Sequence, residues 1–181
     1  MKLPINENFH LRLTNPDDAE ETFAVVDRNR EYLRQWMPWV DGVQSSDAIR
    51  QHLDSLQAGI HDCPEFVLVY HGKIVGRLGF HRIDEQNRNT SVGYWLDAGQ
   101  QGQGLMTMAV KAAVDYAIHT RKLHRVVLMA AVDNLASRAI PERLGFQQEG
   151  IARDGERLYD HFVDLAVYSI LEPEWSARSA E

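Results

Sequence analysis

Residues 93–113, GYWLDAGQQGQGLMTMAVKAA, constrain the fold more than any other stretch of the chain. Ser91, Val92, Tyr94, Trp95 and Leu96 read as the end of a strand, Gly102 and Gly104 lie in a polar turn, and a helix follows. In that helix Gln103, Thr107, Lys111, Asp115 and His119 recur four apart on a polar side, while Met106, Val110, Ala113 and Ala117 mark an apolar one. A strand running through a glycine turn into a helix presents unpaired N–H groups with the helix dipole behind them, a natural anion and phosphate site. Glycine suits the turn because a missing Cβ permits positive φ and close approach of a diphosphate to the backbone. The same spacing also serves a plain tight turn. Two other phosphate loops are excluded. A dinucleotide fingerprint needs a third glycine where Thr107 stands, and a Walker loop needs Gly-Lys-Ser/Thr, which is absent.

Read in order, the chain predicts an α/β (α+β) fold. Phe9, Leu11 and Leu13 alternate with polar neighbours as a first strand, and Pro16, Asp17 and Asp18 open a helix running through Phe23, Val26, Asn29, Leu33 and Trp36 to a stop at Pro38. Ser45 or Ser46 caps a second helix carrying Ile49, Leu53, Leu56 and Ile60 and ending near Gly59. Residues 66–70, the turn His71-Gly72 and residues 74–80 form a hairpin, and residues 90–96 lead into the glycine turn. Residues 124–132 read as a buried strand, placed parallel to the preceding one by a right-handed crossover. Asn134 starts and Gly145 ends a further helix in which Pro141 should introduce a kink or an early end. Residues 147–153 and 162–171 close the sheet, and residues 172–181 read as a polar tail. The expected result is a mixed, mostly antiparallel sheet of about seven strands flanked by about four helices.

Two segments carry a resemblance. Gln101-Gly102-Gln103-Gly104 after Gly93-Tyr94-Trp95-Leu96, followed by Asn134-x-x-Ser137 and Arg143-x-Gly145-Phe146, resembles the GNAT superfamily of N-acetyltransferases, in its RimJ/RimL-like branch. The resemblance extends from Leu11 to about Leu171, within one domain spanning residues 1–181. It implies the acyl-CoA N-acyltransferase fold, acetyl-CoA as co-substrate and no metal. The first position of the family's diphosphate loop is Gly99 here, a departure that leaves Gln101 as the nearest side-chain donor. The resemblance assigns the coenzyme to Tyr94, Trp95, Leu96, Gln101, Gly102, Gln103, Gly104, Leu105, Met106, Thr107, Asn134 and Ser137. It also sets Trp36 and Trp39 beside the acceptor; plugging the core is the other role open to them.

Bulk properties bound the partners. A net charge of −7 argues against nucleic acid, which needs clustered Lys and Arg, and suits a cationic acceptor such as an amine or basic protein. The single cysteine, Cys63, allows no disulfide or thiolate zinc cluster; it reads as a buried, inert thiol and fits a reducing cytoplasm. No apolar run reaches the roughly 18 residues of a membrane span, and the N-terminus lacks a signal-peptide core.

In the family, the acceptor amine attacks the thioester directly. The residues agree: there is no Gly-x-Ser-x-Gly elbow and no His-Glu-x-x-His. The resemblance makes Ser137 the proton donor to the departing thiolate, against its alternative as a first-turn serine satisfying helix N–H groups. It makes Glu156 the general base, acting through water, against a solvated loop glutamate; Glu149, Asp164 and His161 are held in reserve. An α-amine with a pKa near 8 is deprotonated at pH 7 for roughly 1.4 kcal/mol, a lysine for about 4.6 kcal/mol. The resemblance makes a protein N-terminus, that of a ribosomal protein, the leading acceptor, one that needs only modest base assistance; a polyamine or aminoglycoside is the second. A non-catalytic acyl-CoA sensor is the alternative class, and the branch implies a homodimer.

Overall fold

The computed structural model describes residues 1–59 and 63–178, in a mixed sheet of eight strands with six α-helices. The chain forms two compact units, Met1–Gly79 with Tyr94–Leu105 and Phe80–Gly93 with Met106–Glu181.

In the first unit β1 (Lys2–Pro4), β2 (Phe9–Leu13), β3 (Glu65–Tyr70) and the start of β4 (Lys73–Asp84) pair antiparallel in sequence order. The register Leu3↔Leu11↔Leu68 aligns apolar side chains across neighbouring strands. His71 (φ 47°) and Gly72 (φ 75°) both take left-handed backbone, the requirement of the two-residue turn expected there. Strand β1 was not anticipated: three residues with one half-buried side chain give too short an alternation to read.

The expected first helix is interrupted. After a short 3-10 turn at Pro16–Asp18 the chain forms α1 (Ala19–Arg28), breaks at Asn29 (φ −111°, ψ 12°), and resumes as α2 (Arg30–Arg34), ending before Trp36. The turn is held by a capping box, in which Asn15 accepts from Asp17 N and Asp18 accepts from Asn15 N at 2.7 Å. Helix α3 (Ser46–Gln57) starts at Ser45, whose side chain makes no capping bond, and stops before Gly59 at φ 71°. Ile60, assigned to that helix from its spacing, lies outside the described residues. Val25, Val26, Leu33, Val40, Ile49, Leu53 and Trp95 form one buried cluster. Cys63 is half-buried rather than enclosed, because it precedes β3 instead of packing within it.

In the second unit β5 (Asn89–Leu96) contributes residues 89–92, which pair parallel with β6 (Arg125–Ala131) from Asn89↔Arg125 to Val92↔Leu128. This is the crossover expected from α4 (Leu105–Asp115). Helix α4 runs on into a π turn, Tyr116–Thr120, closed by Arg121 N donating to Tyr116 O at 3.0 Å. Strand β8 (His161–Leu171) lies between β6 and β7 (Gln147–Leu158), antiparallel to both. Helix α5 (Leu135–Arg143) contains Pro141, which has no N–H to give to the fourth residue back, and ends two residues later.

Residues 172–178 are not a polar tail. They form α6 (Glu172–Arg178), which buries Trp175 to 3 % exposure. Its indole Nε1 donates to Asp115 Oδ1 at 2.7 Å, and Lys111 Nζ lies 5.7 Å from the ring centroid. One aromatic among charged residues carries no helical period, so sequence alone missed it. Replacing Trp175 with Phe keeps most of the apolar fill but removes the donor to Asp115. It should lower unfolding stability by about 1–2 kcal/mol in urea titration, at nearly unchanged m-value.

Candidate active site

The loop that leaves β5 is fixed at its root by a buried carboxylate. Asp97, 7 % exposed, caps the turn Ala98–Gln100 by accepting from Gly99 N at 3.2 Å. Its Oδ2 accepts from Arg28 Nε at 3.2 Å and Nη2 at 2.5 Å, and its Oδ1 accepts from Asn29 Nδ2 at 2.9 Å. Burial pushes the carboxyl pKa up, but hydrogen bonds from Arg28, Asn29 and Gly99 outweigh it and hold Asp97 below the ordinary carboxylate range. None of these three anchoring side chains was singled out from the sequence. The available signal was an Asp closing a strand before Ala-Gly, and an Asn, a weak helix former, inside a helical run.

Beyond this root Gln101, Gly102, Gln103 and Gly104 are exposed, and Gly102 and Gly104 both have φ of 74°. A Cβ at either would meet nothing within 4 Å, so the glycines answer to backbone conformation and leave open space in front of the turn. The next N–H groups begin α4 and have no helical carbonyl to reach, which leaves them available to an anion. Leu105 (3 %) and Met106 (6 %) are buried, so their side chains pack and only their backbone can serve a ligand. Gln103 Nε2 donates to Gln100 Oε1 at 3.2 Å. Gln101 hydrogen-bonds Tyr32 of α2, where burial raises the phenol pKa and that bond partly offsets the rise.

The two acceptor-side tryptophans differ. Trp39 is 36 % exposed and lies 6.2 Å, centroid to centroid, from Trp95 at an interplanar angle of 53°. Trp95 is the tryptophan of the buried cluster, while Trp36 is half-buried just after α2. Tyr94 is half-buried and Leu96 buried on β5.

In the second unit Asn134 caps α5 by accepting from Ser137 N at 3.1 Å, which sets Ser137, half-buried, in the first turn. Arg138 beside it donates to Tyr168 Oη at 2.9 Å and to Val132 O at 2.9 Å. Thr107 accepts from Arg143 Nη1 of α5 at 3.1 Å, bringing the arginine of the second motif to the first turns of α4, a contact the motif itself did not foretell.

Glu156 is not a loop residue, contrary to the sequence reading. It stands in β7 opposite Val163, past an irregularity between Ala152 and Glu156 where Asp154 takes φ of 50° and its N–H donates to Asp164 at 2.8 Å. The polar run Asp154-Gly155-Glu156 reads as a turn because bulged edge strands lack the period-2 pattern. Burial raises the carboxyl pKa of Glu156. Glu149 is the reverse case. Hydrogen bonds from Arg125 (2.5 and 2.6 Å) and Ser169 (2.7 Å) lower its pKa to about 2, which makes it a poor base and a tie between β6, β7 and β8. The other reserves are also engaged, Asp164 by Asp154 N and His161 by Asp160 at 3.0 Å.

Among the described residues no group of three or more His, Cys, Asp or Glu is arranged to hold a metal ion, and no helix is long and apolar enough to cross a membrane.

Comparison with known proteins identifies the family. A family model described as an acetyltransferase (GNAT) domain matches residues 8–147. The putative ribosomal N-acetyltransferase YdaF of Bacillus subtilis strain 168 is 34 % identical over 185 residues, covering 96 % of this chain and 97 % of that one. The ribosomal-protein-serine acetyltransferase of Escherichia coli K12 is 26 % identical over 170 residues, covering 92 % and 94 %. RimL, a ribosomal L7/L12 α-N-protein acetyltransferase solved in complex with coenzyme A, superposes with a TM-score of 0.89 at 26 % identity over 94 % of this chain and 98 % of that one. The chain belongs to the GNAT family of acetyltransferases.

Proposed function

We propose that this acetyltransferase moves the acetyl group of acetyl-CoA onto the N-terminal α-amine of a ribosomal protein. The observation that carries the reading is the exposed turn 101–104 in front of α4, with both glycines at φ 74° and open space where a Cβ would stand. Those residues fit a diphosphate, since outward N–H groups at a helix start provide directed donors and the positive end of a dipole. Coenzyme contacts fall to Gln101, Gly102, Gln103, Gly104 and the first turn of α4, with Thr107, Asn134 and Ser137 beside the pantetheine arm. The main-chain amides at Tyr94, Trp95 and Leu96 polarise the acyl carbonyl.

The bound coenzyme supplies a thioester carbon as acyl donor. Glu156, through water, takes the proton that the amine gives up as the N–C bond forms; Ser137 gives a proton to the sulfur as the C–S bond breaks. The raised pKa of Glu156 brings its basicity nearer the operating pH. A ribosomal acceptor is supported by relatives of that description matching along nearly the whole chain. The acidic balance of −7 favours a basic partner, and an α-amine is cheaper to deprotonate than a lysine. Trp36 and Trp39 wall the acceptor side.

Thiol release from acetyl-CoA, measured against N-terminal peptides of ribosomal proteins, polyamines and aminoglycosides, tests this. The expected result is a kcat/KM for at least one N-terminal peptide about 100-fold above that for any polyamine. Preference for a small amine would move the acceptor class, and coenzyme binding without turnover on any amine would favour a sensor.

A further inference from the structure

The break between α1 and α2 has a use beyond turning the chain. Asn29 is 6 % exposed and its amide is engaged at both ends: Nδ2 donates to Val25 O at 2.8 Å and Asp97 Oδ1 at 2.9 Å, while Oδ1 accepts from Ala98 N at 3.0 Å. Asp97 is buried too, held by Arg28 on its other oxygen and by its own N–H, which donates to Val75 O at 2.8 Å. Gln100 N then donates to Asp97 O at 2.9 Å, and Gln101 N to Ala98 O at 3.3 Å. The N–H groups of residues 98–101 are thus consumed within the turn and its anchor. Outward donors are confined to the glycine stretch and the first turn of α4. A buried polar network of this kind specifies one backbone arrangement, since any slip leaves a desolvated carboxylate or amide without its partner.

We propose that Asn29 and Asp97, with Arg28, are positioning residues that set the outward amides of the 102–105 turn for the coenzyme's diphosphate. The inference rests on the functional reading above and extends it to side chains that touch no substrate. Because Asn29 is also the joint between α1 and α2, the residue that fixes the diphosphate turn also fixes the start of the helix carrying Tyr32, which hydrogen-bonds Gln101.

The test measures the acetyl-CoA dissociation constant by titration calorimetry, KM and kcat, and Tm, for the wild type, Asn29→Ala, Asn29→Asp and the double variant Asn29→Asp/Asp97→Asn. Loss of the anchor in Asn29→Ala should raise Kd and KM for acetyl-CoA on the order of tenfold, with kcat and acceptor KM within about twofold. Asn29→Asp sets two carboxylates face to face and should bind worse still, whereas the double variant removes the repulsion and should regain part of the affinity. A lower Tm and smaller active fraction at unchanged Kd would mean ordinary structural support and overturn the proposal. So would a double variant binding no better than Asn29→Asp, a comparison that decides the matter should Asn29→Ala fail to fold. A wild type that binds no acetyl-CoA would refute the functional reading itself, and the two failures are therefore distinct.

Discussion

Replacing Gly104 with alanine should weaken acetyl-CoA binding about 10- to 150-fold, while the same change at Gly72 leaves binding unaltered. The two positions are matched: φ is 74° at Gly104 and 75° at Gly72, and a Cβ at either meets nothing within 4 Å. An L-residue held in left-handed backbone costs roughly 1–2 kcal/mol at either site. Both variants should therefore melt a few degrees lower, by roughly 2–8 °C. What separates them is the ligand. At Gly104 relaxation of φ turns an N–H away from the diphosphate, and a hydrogen bond to a charged acceptor contributes about 1.5–3 kcal/mol. Calorimetric titration of both variants reads the difference directly. Equal coenzyme affinity in the two would remove the diphosphate from this turn and leave Gly104 as a turn glycine like Gly72.

The same comparison shows what sequence can convey about this chain. Glycine at positive φ is a local requirement, so Gly72, Gly102 and Gly104 could be placed from their neighbours alone. The β5–α4–β6 crossover was legible for a related reason, because apolar period and connection handedness are set within a few dozen residues. Asn29 was misread because a residue inside a helical run breaks the helix only when its amide has a better partner, and Asp97 lies far along the chain. Trp175 and Asp115 repeat the pattern: a long-range hydrogen bond turned an apparent tail into a helix. For the candidate site, the glycine turn and the motif residues Asn134, Ser137 and Arg143 could be named from the sequence, whereas the long-range bonds of Arg28, Asn29 and Asp97, and that between Arg143 and Thr107, could not. Glu156 falls between: its type and order in the chain drew notice, but its place in a bulged strand, half-buried, depends on pairing with β8.

That half-burial gives Glu156→Gln two expected effects of opposite sign. A positioned general base contributes about 10²- to 10⁴-fold, so in the proposed role of Glu156 kcat/KM with a peptide acceptor should fall by that order at pH 7. The deficit should narrow as pH rises, because solvent then deprotonates the acceptor without help, and the wild-type profile should climb as pH passes through the raised pKa of Glu156. Stability should move the other way. Burial raises the folded-state pKa above the unfolded value, so the folded state holds the proton more tightly. Stability associated with this group is then present below the unfolded pKa, is lost as pH rises through the folded pKa, and stays lost at neutral pH. Glutamine cannot ionise and avoids that loss, so Glu156→Gln should melt higher than wild type at pH 7 and no higher at pH 4. A solvated glutamate of no function would leave both rate and Tm unchanged, and a purely structural one would lower Tm. Only a carboxylate kept partly desolvated for proton transfer lowers the rate while its removal stabilises the fold.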